Sequence, residues 1–203
     1  MTIANAPATS VDPKPLLLNV SNTNLTVTLE QFELLCINNP DLRLELTPNQ
    51  ELIVMAPAGG ESSEQNGNLF GEVWYWNRQT NLGRTFDSSG GYDFTAIGGG
   101  QLSPDVSWIE KSRLEGINIV RFIPVVPDFV IELRSATDNL KPLQQKMIEY
   151  QRLGVRLGLL VNPKNQQVEI YRPEKEPEII EIPVSIDCNE VMPGFILSMS
   201  RIW

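Results

Sequence analysis

The sequence predicts an α/β chain of the α+β kind, and three observations carry that prediction. Two stretches repeat apolar residues at helical spacing, several short runs rich in β-branched residues read as strands, and turn residues separate them. At 203 residues and 41% hydrophobic content the chain is long enough for one substantial domain. We place that domain at residues 25–203. Residues 1–24 mix Thr, Asn, Pro and Ala with little periodicity, which predicts a poorly ordered leader.

Taken in order, Thr28 can cap a short helix through Leu29, Phe32, Leu35 and Cys36. Arg43-Leu44-Glu45-Leu46 and Leu52-Ile53-Val54-Met55 then flank a Thr47-Pro48-Asn49-Gln50 turn as a hairpin, a packing module added to the N-terminus. Gly59-Gly60 ends it. From Glu61 to Asn81 the pattern is helical, with Leu69, Val73 and Trp76 on one stripe, Phe70 and Trp74 widening it, and Glu61 and Gln65 beside it. Gly83–Asp87 and Tyr92–Phe94 read as a β-meander that ends in a flexible Gly98-Gly99-Gly100 loop. No Lys-Ser/Thr follows those glycines, so they do not make a phosphate-binding loop. Pro104–Ile109 is a strand with Asp105 at its entry, and the stretch from Lys111 to Pro127 is a connecting loop with room for one helical turn.

Strand 128–134 carries a charge inside an apolar run. Alternation puts Val130, Glu132 and Arg134 on one face and Phe129, Ile131 and Leu133 on the other. A buried Glu132 costs several kcal/mol unless a cation answers it. A second helix starts near Asp138 and stops at Gly154, with Leu140, Leu143, Met147 and Tyr150 as its stripe and Lys146 at the edge, able to reach the sheet. Arg156–Val161 and Gln167–Tyr171 form a hairpin across Asn162-Pro163-Lys164-Asn165, Ile179–Ile182 is a further strand, and Phe195-Ile196-Leu197 docks the C-terminus. All four tryptophans read as core or interface residues.

The net charge of −9 and the pI near 4.6 oppose nonspecific binding to nucleic acid, which depends on Lys and Arg. The deficit is uneven: residues 1–66 hold eight acids against Lys14 and Arg43, and the middle of the chain is close to neutral. With two cysteines and no histidine, classical zinc sites and Ser-His-Asp or Cys-His catalysis are excluded within this chain. No signal peptide and no membrane-spanning apolar run is present, so we expect an intracellular, cytoplasmic protein.

Acids converge from separate elements, and oxygen donors suit a hard divalent ion such as Mg²⁺ or Mn²⁺. Two carboxylates with a nearby cation are the minimum kit for metal-assisted phosphodiester hydrolysis. Pro104-Asp105, followed one strand later by Glu132-Leu133-Arg134, resembles the PD-(D/E)XK nuclease signature, with Arg134 at the usual lysine position. Arginine's high pKa makes it a poor proton shuttle, so Lys146 from the adjacent helix is the candidate replacement.

The ordered blocks Met55–Glu61, Phe86–Ser89, Leu102–Trp108, Pro127–Ser135, Leu140–Tyr150 and Gly154–Gly158 are similar to those of the Uma family of putative restriction endonucleases, from about Leu29 to the C-terminus. The resemblance implies a restriction-endonuclease-like core, a mixed β-sheet flanked by helices, acting on DNA with Mg²⁺. It implies Asp105 and Glu132 as metal ligands, Glu61 as the helix carboxylate near the metal, and Lys146 or Arg134 as the cation. Many relatives carry a histidine shortly after the position of Glu61, and this chain has none. By analogy with double-strand cutting we expect a homodimer. The acidic balance and Arg134 keep a second reading open, a catalytically inactive nuclease-fold protein serving protein interaction or oligomerisation.

Overall fold

Residues 25–203 are described by the computed structural model, and the predicted leader at 1–24 lies outside them. Helix α1 (Leu29–Asn38) begins in a reciprocal cap: Gln31 N donates to Thr28 Oγ1 at 3.2 Å, and Thr28 N donates to Gln31 Oε1 at 2.9 Å. The hairpin β1 (Arg43–Leu46) and β2 (Leu52–Met55) follows. Helix α2 (Gly60–Thr80) ends at Asn81 in the left-handed conformation, as expected of an Asn helix stop. Next come β3 (Gly83–Asp87), β4 (Tyr92–Asp93), β5 (Gln101–Leu102), β6 (Val106–Glu110) and β7 (Phe129–Leu133). A 3₁₀ turn at Lys111–Leu114 lies in the long connection. Helix α3 (Leu140–Leu153) stops at Gly154 with φ 97°, and β8 (Leu157–Asn162), β9 (Gln167–Tyr171), β10 (Glu178–Glu181), β11 (Ser185–Asp187) and β12 (Ile196–Ser198) complete the order.

The main sheet is mixed, in the order β10-β9-β8-β7-β6-β3. Only β7 and β8 run parallel in it, joined by α3, while its other pairs are antiparallel. Strand alternation gives this sheet two cores. Phe129, Ile131 and Leu133 pack with Leu69, Val73 and Trp76 of α2, whereas Val130 and Leu160 pack with Met147, Tyr150 and Leu153 of α3. Trp76 and Trp108 meet edge-on at 5.5 Å, a geometry that adds about 1 kcal/mol beyond burial. Phe195 and Leu197 are buried in the α2-side core, so the C-terminus docks as expected.

The central region departs from the predicted meander. β3 joins the main sheet beside β6, while β4 pairs with β5 in a second sheet, β2-β1-β5-β4, which includes the N-terminal hairpin. Gly100 is what permits this, because a Cβ there would land on the Leu46 carbonyl of β1. The glycine run is therefore a close backbone approach rather than a slack loop. Trp74 is 43% exposed, while Trp76 and Trp108 are core residues. Cys36 and Cys188 are free.

Candidate active site

The antiparallel register of β6 and β7 pairs Val106 with Ile131 and Ser107 with Val130. Continued by one residue beyond the paired strands, that register brings Asp105, in the bend before β6, alongside Glu132. Like charges brought close across neighbouring strands destabilise a sheet. Asp105 is anchored by Leu133 N, which donates to its Oδ2 at 2.8 Å. Glu132 is 3% exposed on the face covered by α3.

Helix α3 supplies what meets these acids. Lys146 and Tyr150 lie one turn apart, so both reach the same patch of sheet. Lys146 Nζ sits 2.9 Å from Glu132 Oε1, 2.8 Å from Glu45 Oε1 and 3.1 Å from the Ser103 carbonyl. Its three N–H donors therefore have three acceptors. Tyr150 donates its hydroxyl to Glu132 Oε1 at 3.1 Å, and Ser103 N donates to Glu45 Oε1 at 2.8 Å. Glu45 comes from β1 and is itself buried.

Two buried carboxylates thus share one ammonium, with the half-buried Asp105 close by. Burial raises Glu132 to about 8, with Asp105 and Glu45 adding to the rise and Lys146 opposing it. Burial also raises Asp105, against the Leu133 N–H, Lys146 and Arg43. For Lys146 burial works downward, yet Glu132 and Glu45 outweigh it and hold the ammonium above its usual range. The causes differ: burial is what lifts Glu132 and Asp105, whereas the neighbouring glutamates are what keep the proton on Lys146.

That imbalance fits a divalent cation. Among the described residues no group of three or more acidic or cysteine side chains is gathered to hold a metal by itself. Mg²⁺, however, commonly takes one or two carboxylates and completes its shell with water and substrate phosphate. Asp105 and Glu132, close together and bearing only oxygen donors, could supply such a pair.

Of the five residues singled out from sequence, Asp105, Glu132 and Lys146 come together. Glu61 is exposed in the first turn of α2, and among the described residues no hydrogen bond or ion pair ties it to the cluster. Arg134 shares the Glu132 face but turns outward, with Nε donating to the Asp138 carbonyl at 3.2 Å and one terminal nitrogen donating to Asn162 Oδ1 at 3.2 Å. It therefore braces the turn into α3, and Glu132 pairs with Lys146 instead. Glu45 and Tyr150 were not read as site residues. Tyr150 was legible as a stripe position next to Lys146, whereas Glu45 looks like an ordinary acid in a surface hairpin.

Comparisons with known proteins give the family and the fold. The model of the Uma2 family, described as putative restriction endonucleases, matches residues 29–200. No curated protein matches the chain. Among solved structures, a putative nuclease belonging to DUF820 from Anabaena variabilis superposes with a TM-score of 0.73 at 21% identity, covering 87% of this chain and 97% of that one. The fold is accordingly restriction-endonuclease-like, and the chain belongs to the Uma2 family.

Proposed function

We propose that the protein is a Mg²⁺-dependent DNA endonuclease that hydrolyses phosphodiester bonds with activated water. The observation that carries this reading is the Asp105–Glu132 pair: two acids brought together where β6 begins and β7 ends, with Lys146 on Glu132, cost stability and need a function to explain them. Asp105 and Glu132 would hold the ion, Mg²⁺ or Mn²⁺, which when bound supplies polarisation of the phosphate and a more acidic water. The chain's own groups do the rest. Leu133 N fixes the Asp105 carboxylate, and Tyr150 fixes that of Glu132. Lys146, held protonated by its two glutamates, acts as a fixed positive charge for the developing phosphorane oxygens and does not remove a proton. Glu61 would approach only from the start of α2, as a support for the ion's water. Arg134 orders the turn that carries α3, and through it Lys146.

The test is cleavage of plasmid and single-stranded DNA with Mg²⁺ or Mn²⁺. Asp105→Ala and Glu132→Ala should each lose at least about 100-fold in rate while remaining folded, in line with the removal of a group that acts on the transition state. Variants as active as the wild type would remove the assignment. Cutting both strands would be served by two such sites in a two-fold homodimer, which sedimentation velocity checks.

The reading of an inactive nuclease fold is favoured by one observation, the commitment of Arg134 to Asp138 and Asn162 in the place of the motif lysine. Lys146 answers it, because an ammonium does stand at Glu132.

A further inference from the structure

Strand β1 brings two charged side chains to one face. Leu44 and Leu46 point into the small core with Phe32, so alternation turns Arg43 and Glu45 the other way. Glu45 enters the Lys146 cluster. The guanidinium of Arg43 crosses to the turn after β3 and donates to the Ser88 carbonyl. That turn is fixed beside the site, because the β3–β6 register pairs Asp87 with Val106, the residue that follows Asp105. Arg43 is therefore an exposed cation at the mouth of the acidic pair, and its charge is felt at Asp105.

The two cations differ in what they have left to give. All three N–H groups of Lys146 are engaged, two of them on buried carboxylates. Arg43 uses one donor on a neutral carbonyl, and among the described residues no carboxylate lies within ion-pair distance of it. A guanidinium carries five N–H donors in a planar fork that matches phosphate oxygens, and it keeps its charge at any working pH. On a chain of net charge −9, an unpaired arginine at the edge of a carboxylate site gives a polyanion a reason to approach.

We propose that Arg43 is the substrate-binding residue of this site: its guanidinium forks onto the non-bridging oxygens of the phosphodiester presented to Asp105 and Glu132, while Lys146 stays between its glutamates. The inference rests on the nuclease reading for its substrate class. It makes β1 a two-purpose strand, with Glu45 positioning the fixed cation and Arg43 holding the DNA backbone.

The experiment compares wild type, Arg43→Gln, Arg43→Lys and the control Lys164→Ala, which removes one exposed charge at the β8–β9 turn. Binding of a labelled DNA duplex is followed by fluorescence anisotropy across a salt series, with Ca²⁺ in place of Mg²⁺ so that binding is read without turnover. Thermal melts confirm that each variant is folded. Arg43→Gln should weaken binding about tenfold and flatten the plot of log affinity against log salt by roughly 0.9, the loss of one phosphate contact. Arg43→Lys should recover the slope and only part of the affinity, and Lys164→Ala should match wild type. In cleavage assays Arg43→Gln should raise KM more than it lowers kcat. Wild-type affinity and slope in Arg43→Gln would overturn the inference, as would an equal loss in Lys164→Ala. The two readings fail separately. DNA binding that depends on Arg43 in a protein that cuts nothing sinks hydrolysis and keeps the contact, whereas Asp105-dependent cutting that is indifferent to Arg43 does the reverse.

Discussion

Replacing Lys146 by Met would leave Glu45 and Glu132 in the interior without their shared ammonium. Removing one partner of a buried ion pair strands the other charge, so urea denaturation of Lys146→Met should show a loss of about 3–5 kcal/mol, partly regained in a double variant with Glu132→Gln. Glu132 also sets a pH dependence. Its folded value is raised from 4.5 to about 8 by burial, so between those values the folded chain binds more protons than the unfolded one. Stability then falls as pH rises through that window. Thermal melts of metal-free protein should therefore decline from pH 5 to pH 8, and Glu132→Gln, which keeps an acceptor for Tyr150, should flatten the decline. An unchanged slope in that variant would assign the effect elsewhere. At this scale the sequence was informative where local geometry decides: a charge in an apolar run marked Glu132, and a stripe edge marked Lys146. Arg134 could not be placed in the same way, because its direction depends on Asp138 and Asn162, one in the following turn and one in the neighbouring strand.

Among the elements, the N-terminal hairpin has the largest consequence for the site. It joins the rest of the molecule through the contact of β1 with β5, where Leu46 faces Gln101 and Gly100 lies against the Leu46 carbonyl. Gly100→Ala should force those backbones apart and withdraw Glu45 from Lys146. We expect lower stability together with reduced DNA cleavage, whereas Gly59→Ala, whose new Cβ meets nothing within 4 Å, should be nearly neutral. Melting temperature and rate, measured on both variants, check this. The strands and helices themselves were legible, since period and turn residues are local signals. The partition of β3 and β4 into different sheets was not, because pairing partners are chosen by long-range packing. Glu45 escaped notice for the same reason: Arg43-Leu44-Glu45-Leu46 is an unremarkable amphipathic strand until β5 and α3 are laid against it.

For the whole molecule, the candidate site is gathered from β1, the β5–β6 connection, β7 and α3, and no single segment carries it. Mg²⁺ should raise the melting temperature of the wild type in a concentration-dependent way and leave that of Asp105→Ala unmoved, which differential scanning fluorimetry reads directly. Among the described residues no helix is long and apolar enough to cross a membrane. If Asp105 and Glu132 hold Mg²⁺ as proposed, the pair also bears on how the protein would come to be loaded. Before β6 and β7 are zipped, the two acids are separate solvated side chains with little to offer an ion, so nearly all of the affinity would belong to the finished sheet. Occupancy and folding would then form one equilibrium. On the proposed reading a chelator would act on the protein as a mild denaturant, and a cell's free magnesium would be one of the variables that decide how much of the chain is native at any moment.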